Sequence, residues 1–176
     1  LGALFFLSST PAYQLTGALL FLLHSILDGC DGEIARLKYL ESRLGGILDF
    51  WGDNVVHSAV FACIGLGWQM AIKTPVPLAL AVSAVIGTLL SAGFVYRQTM
   101  RHKASGGPLF TSITNSEAPS RLTTLADSLA KRDFIYLVVI LAALGKAHWF
   151  LVLAAIGAPL FFFILLWTSR MERVKA

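Results

Sequence analysis

Asp28-Gly29-Cys30-Asp31-Gly32-Glu33-Ile34-Ala35-Arg36, followed after eight residues by Gly45-Gly46-Ile47-Leu48-Asp49-Phe50-Trp51-Gly52-Asp53, is the stretch from which the rest of the chain can be read. If both segments are helical, their spacing becomes geometry. At about 100° per residue, Asp28, Asp31, Gly32, Ala35 and Arg36 fall on one face of the first helix. Gly45, Asp49, Gly52 and Asp53 fall on one face of the second. Each helix then offers two carboxylates beside a patch without bulky side chains, a shape suited to metal ions and to close approach by something large.

The surroundings of this stretch are apolar. Of 176 residues, 56% are hydrophobic and only 14% charged, where soluble domains carry about 25% charged residues. The mean hydropathy is +0.72. The composition therefore predicts an all-α, polytopic membrane helix bundle built as a single domain over 1–176. Cys30 and Cys63 lie in different expected helices without CxxC spacing, so neither a disulfide framework nor a thiolate zinc site is indicated. Leu1–Ser8 is expected to be the end of a first helix whose beginning lies upstream.

Working outward, Thr10-Pro11 is an N-cap and first-turn proline pattern that opens a helix running to about Arg36. A polar connection over 37–44 leads to a helix from about Gly45 to Ile72. So short a connection makes the two helices antiparallel neighbours, with all four aspartates at one depth. Thr74-Pro75-Val76-Pro77 starts a helix over about 77–96. The long polar segment 97–132 contains a stretch around 120–131 expected to lie in the membrane interface. Two further helices are expected, from Asp133 to about Leu144 and from about His148 to Thr168, joined by Gly145-Lys146.

Twelve of the fourteen Lys and Arg fall on the aspartate side of this scheme; only Lys73 and Lys146 fall on the other. That bias marks the aspartate side as cytoplasmic. The inner membrane is the expected location, with substrates arriving from the cytoplasm or the inner leaflet. The net charge of +4 follows from the same asymmetry and does not imply nucleic acid.

Electrostatics says what the aspartates are for. Two like charges about 4 Å apart repel by roughly 4 kcal/mol at an effective dielectric near 20, and a converging set of four contains several such pairs. Hard divalent cations relieve that repulsion. Oxygen-only ligation selects magnesium, manganese or calcium over zinc. Two ions about 3.5 to 4 Å apart would clamp a diphosphate and polarise an attacking oxygen. Gly32, Ala35 and Gly45 then serve as clearance for a nucleotide or phosphate, and Arg36 as a charge partner for phosphate oxygens.

The string D-x2-D-G-x2-A-R-x8-G-x3-D-x3-D is complete here as Asp28, Asp31, Gly32, Ala35, Arg36, Gly45, Asp49 and Asp53. It resembles the signature of the CDP-alcohol phosphotransferase family. The resemblance implies six transmembrane helices, the first truncated in this chain, and a homodimer. It also implies transfer of a phosphoalcohol from a CDP-alcohol to an acceptor hydroxyl with release of CMP. Asp28, Asp31 and Asp49 would ligate Mg2+ or Mn2+, as two ions. Asp53 would ligate or approach the second ion and serve as the general base for the acceptor; Asp49 and Asp53 are the catalytic residues so implied. Gly32, Ala35, Arg36 and Gly45 would line the CDP site.

Two donor branches stay open: CDP-diacylglycerol, giving a phospholipid, or a soluble CDP-alcohol such as CDP-inositol. The wording of Asp28–Glu33 and the start of helix five at Arg132-Asp133-Phe134 resemble the second branch, members of which are sometimes fused to a nucleotidyltransferase domain. Arg132 is a candidate for binding the alcohol or phosphorylated alcohol acceptor, although positive-inside topology already accounts for it. His24 and His57, each one turn from a signature aspartate, read as bundle-buried imidazoles before they read as catalytic groups. Phe161, Phe162, Phe163, Trp149 and Trp167 read as lipid-facing or belt residues. A divalent-cation transporter is the alternative function, but it would place its carboxylates near the bilayer midplane.

Overall fold

A computed structural model describes residues 1–39, 42–102 and 133–175. Those residues form a bundle of five α-helices, preceded by a 3₁₀ segment at Gly2–Leu7, with no strand among them. The helices are α1 (Pro11–Leu37), α2 (Arg43–Ile72), α3 (Val76–His102), α4 (Asp133–Ala143) and α5 (Ala147–Lys175). Their bounds follow the punctuation in the sequence. Pro11 supplies the preset φ of a first turn. The Thr10 carbonyl accepts the first helical bond, from Gln14 N. Gly145 (φ 68°) takes the left-handed position that ends α4. There Gly145 N donates to Ala142 O and Lys146 N to Leu141 O, the paired bonds of a Schellman end.

Among the described residues, three helical stretches are long and apolar enough to cross a membrane: Leu44–Ile72, Val76–Arg97 and Ala147–Arg170. The count of six is not reached among the described residues. Helix α1 has 27 residues, about 40 Å at 1.5 Å each, but Tyr13-Gln14 at one end and the aspartates at the other shorten its apolar middle. Helix α4 has 11 residues, about 16 Å, roughly half the hydrocarbon thickness. The stretch expected to lie in the interface is outside the described residues.

The opening 3₁₀ turn of residues acts as a wedge. The 3₁₀ segment packs on both α1 and α2. It does so because Gly17 and Gly67 have no side chains: a Cβ at Gly17 would sit 3.0 Å from Gly2 O, and one at Gly67 would run into the carbonyl of Phe6. Phe6 is thereby fully buried, joining a core of Phe21, Phe61, Ile64, Phe150 and Leu151. Leu19, Leu23, Ile26, Ile140, Ile156 and Phe163 point outward, as side chains do where lipid is the solvent. Trp149 and Trp167 are also exposed. Phe162, expected to face lipid, instead meets Phe94 of α3 edge on, at 6.3 Å between ring centroids.

Helices α3 and α5 run parallel and pack closely. Pro159 sits inside α5 and has no N–H to give to the carbonyl four residues back, that of Ala155. Ser83 of α3 supplies the missing donor, with Oγ 3.1 Å from Ala155 O. One turn on, Gly87 lets the backbones approach: a Cβ there would lie 2.7 Å from Pro159 N. Ser83→Ala should therefore cost about 1 kcal/mol in an otherwise native chain and almost nothing beside Pro159→Ala, which restores the helical donor. A double-mutant cycle of unfolding in detergent reads this directly. Equal costs in both backgrounds would show that the hydroxyl does not serve that carbonyl.

Candidate active site

Both aspartate pairs sit at the end of the bundle where Lys38 and Arg97 lie. Asp28 and Asp31 occupy the last turns of α1, Asp28 half-buried and Asp31 exposed. Asp49 and Asp53 occupy the second and third turns of α2, Asp49 exposed and Asp53 half-buried. Spacings of three and four residues stack the members of each pair on one helix face, with Cβ atoms about 5 to 6 Å apart.

Their relative depth follows from a contact lower down. The rings of Phe21 in α1 and His57 in α2 meet edge on, with centroids 5.3 Å apart. The short link over 38–42 makes the helices antiparallel, so rise per residue can be counted from that level. Asp53 lies about 6 Å above it, Asp28 about 10 Å, Asp49 about 12 Å and Asp31 about 15 Å. The two pairs interleave in height. Side by side they are not gathered: among the described residues, no three His, Cys, Asp or Glu side chains are grouped closely enough to hold an ion. The physical reason lies at the opposite end, where the 3₁₀ wedge spaces α1 from α2 and leaves Phe21 and His57 to bring them together. The converging cluster of four expected from sequence is thus, in this structure, two pairs at one level.

The donor chemistry fits a hard divalent cation, since all four candidates are carboxylates and the nearest cysteine, Cys30, is off their helix face. Space beside them is open. A Cβ added at Gly32 or at Gly52 meets nothing within 4 Å. Ala35 is half-buried on the same face of α1. Gly45 has a second task, which the clearance argument missed: its N–H donates to Ser42 Oγ over 3.0 Å, and Ser42 is the N-cap of α2. The signal was present as a serine just before the helical run. Phe21 was missed as well, because nothing in sequence marks one phenylalanine of an apolar helix as the partner of His57. The Arg36 side chain and Arg132 lie outside the described residues.

The family model for CDP-alcohol phosphatidyltransferase matches residues 1–116. The chain belongs to that family. Two curated relatives are both named bifunctional IPC transferase and DIPP synthase. The one from Thermococcus kodakarensis is 33% identical over 90 residues, covering 51% of this chain and 20% of the relative. The one from Archaeoglobus fulgidus is 37% identical over 89 residues, covering 51% of this chain and 17% of the relative. The chain thus spans a fifth or less of the length of either. No solved structure matches.

The two small-residue positions should respond differently to a methyl group. Gly32→Ala has room and gains helix propensity, up to about 1 kcal/mol. Gly45→Ala puts a Cβ 2.9 Å from Ser42 Oγ, and the disturbed cap should cancel a similar gain. Melting temperatures in detergent should rank Gly32→Ala above Gly45→Ala; the reverse order would contradict the capping role.

Proposed function

We propose that this protein transfers a phosphoalcohol from a CDP-alcohol to an acceptor hydroxyl, releasing CMP. The observation that carries the reading is the presence of two aspartate pairs that interleave in height at one end of α1 and α2, beside glycines with open space, in a member of this family. In the reaction the acceptor oxygen attacks the phosphorus that carries the alcohol. The new P–O bond forms as the bond to CMP breaks, and the acceptor's proton passes to Asp53. Asp28, Asp31, Asp49 and Asp53 would hold magnesium or manganese as one or two ions. Such ions neutralise the diphosphate and acidify the acceptor hydroxyl. Gly32, Ala35 and Gly45 give the donor room to approach the helix backbones, and Arg36 balances phosphate charge.

The names of the two relatives, together with the wording of Asp28–Glu33, favour a soluble donor of the CDP-inositol type over CDP-diacylglycerol. The basic flank of the site supports a cytoplasmic orientation in the inner membrane. The family resemblance supports a homodimer, and Arg132 stands as the acceptor-side cation. Family membership lends nothing to the cation-transporter alternative.

The test is CMP release by purified protein with magnesium, offering CDP-inositol and CDP-diacylglycerol in parallel against inositol phosphate and glycerol phosphate. CMP should appear from the soluble donor. Asp53→Asn should lower turnover at least about a hundredfold, the low end of a general-base contribution, while CDP still binds. Gly32→Ala should weaken CDP binding about tenfold without loss of fold. Normal turnover in Asp53→Asn would remove the base assignment, and no CDP binding by the native chain would remove the proposal.

A further inference from the structure

His57 lies one turn below Asp53 on α2. Its Nδ1 is 2.7 Å from the main-chain oxygen of Asp53. A carbonyl oxygen only accepts, so Nδ1 carries the hydrogen. From the other side the ring is met edge on by Phe21 of α1, at an interplanar angle of 81°. One imidazole is thus held by the turn that bears Asp53 and by the helix that bears Asp28 and Asp31. At the opposite end of the same helices the 3₁₀ wedge sets a fixed spacing. Phe21 and His57 are therefore placed to set how far apart the helices stand at the level of the aspartates.

We propose that His57 is a positioning residue. Its Nδ1–H pins the Asp53 turn, and its ring, keyed against Phe21, sets the separation between the two aspartate pairs. This rests on the reading of the aspartates as metal ligands. Outer partners that orient ligands in this way typically change metal affinity by about 10- to 100-fold when removed. A histidine that only fills space would change stability alone.

Two substitutions separate the two contacts. His57→Asn keeps an amide donor for the carbonyl four residues back, a bond that Asn54 already makes to Phe50 O at 2.7 Å on this helix; it loses the ring. His57→Phe keeps the ring and loses the donor. Manganese binding to the full chain in detergent, followed by the loss of the free-ion electron paramagnetic resonance signal, is compared at a temperature well below either variant's melting point. Both variants should bind manganese at least about tenfold more weakly than the native chain, the low end of that outer-partner effect, while melting within a few degrees of it. Unchanged affinity in both would overturn the proposal, as would a lowered melting temperature with native affinity. A native chain that binds manganese but releases no CMP would sink the transferase reading and leave the His57 comparison decisive. One that binds no manganese would sink both.

Discussion

Hydrocarbon offers no hydrogen bonds, so every backbone group that crosses it must be paired inside the protein. That constraint explains why the described residues are helical and why the span interrupted at Pro159 is repaired from a neighbour. Pro159 frees the carbonyl of Ala155, and Ser83 of α3 donates to it. Gly87, a turn away, removes the side chain that would keep the two backbones apart. With lipid as solvent, apolar area gives little drive for helices to associate. Close backbone contact and a few buried polar bonds do that work instead, which is why alanines, with Gly87, recur along the buried faces of α3 and α5.

The same medium gives the aspartates their meaning. Carboxylates are costly at the bilayer centre and tolerable at its edge. Asp28 and Asp31 lie where the apolar part of α1 runs out, and Asp49 and Asp53 where that of α2 begins. Helix polarity and a short link put both pairs at one end, among the basic residues. Repulsion between like charges keeps such a group from closing unaided, and cations are the natural counterweight. The structure adds how two separate helices come to present these groups together: a 3₁₀ wedge at one end and a ring contact between Phe21 and His57 nearer the other.

Much of this was legible in the sequence, because it is encoded locally. Pro11, Pro75 and Gly145 mark helix ends through fixed or left-handed backbone angles. The spacing of Asp28, Asp31, Asp49 and Asp53 is periodicity on a helix, and the charge bias is a count. Features that depend on distant partners were not legible. Ser83 and Ala155 are 72 residues apart, and nothing near either announces the other. The seating of Gly2–Leu7 against Gly17 and Gly67 is a contact of the same kind. In sequence the aspartates look like a converging cluster, since sequence gives their angular position on each helix but not the distance between helices.

The central claim is that aspartates from α1 and from α2 form one metal site. Anomalous diffraction from crystals grown with manganese and CDP tests it most directly. The account predicts an anomalous peak within ligating distance of carboxylate oxygens from both helices, at least one of Asp28 and Asp31 and at least one of Asp49 and Asp53. A peak held by the aspartates of a single helix, or manganese bound only elsewhere, would contradict it.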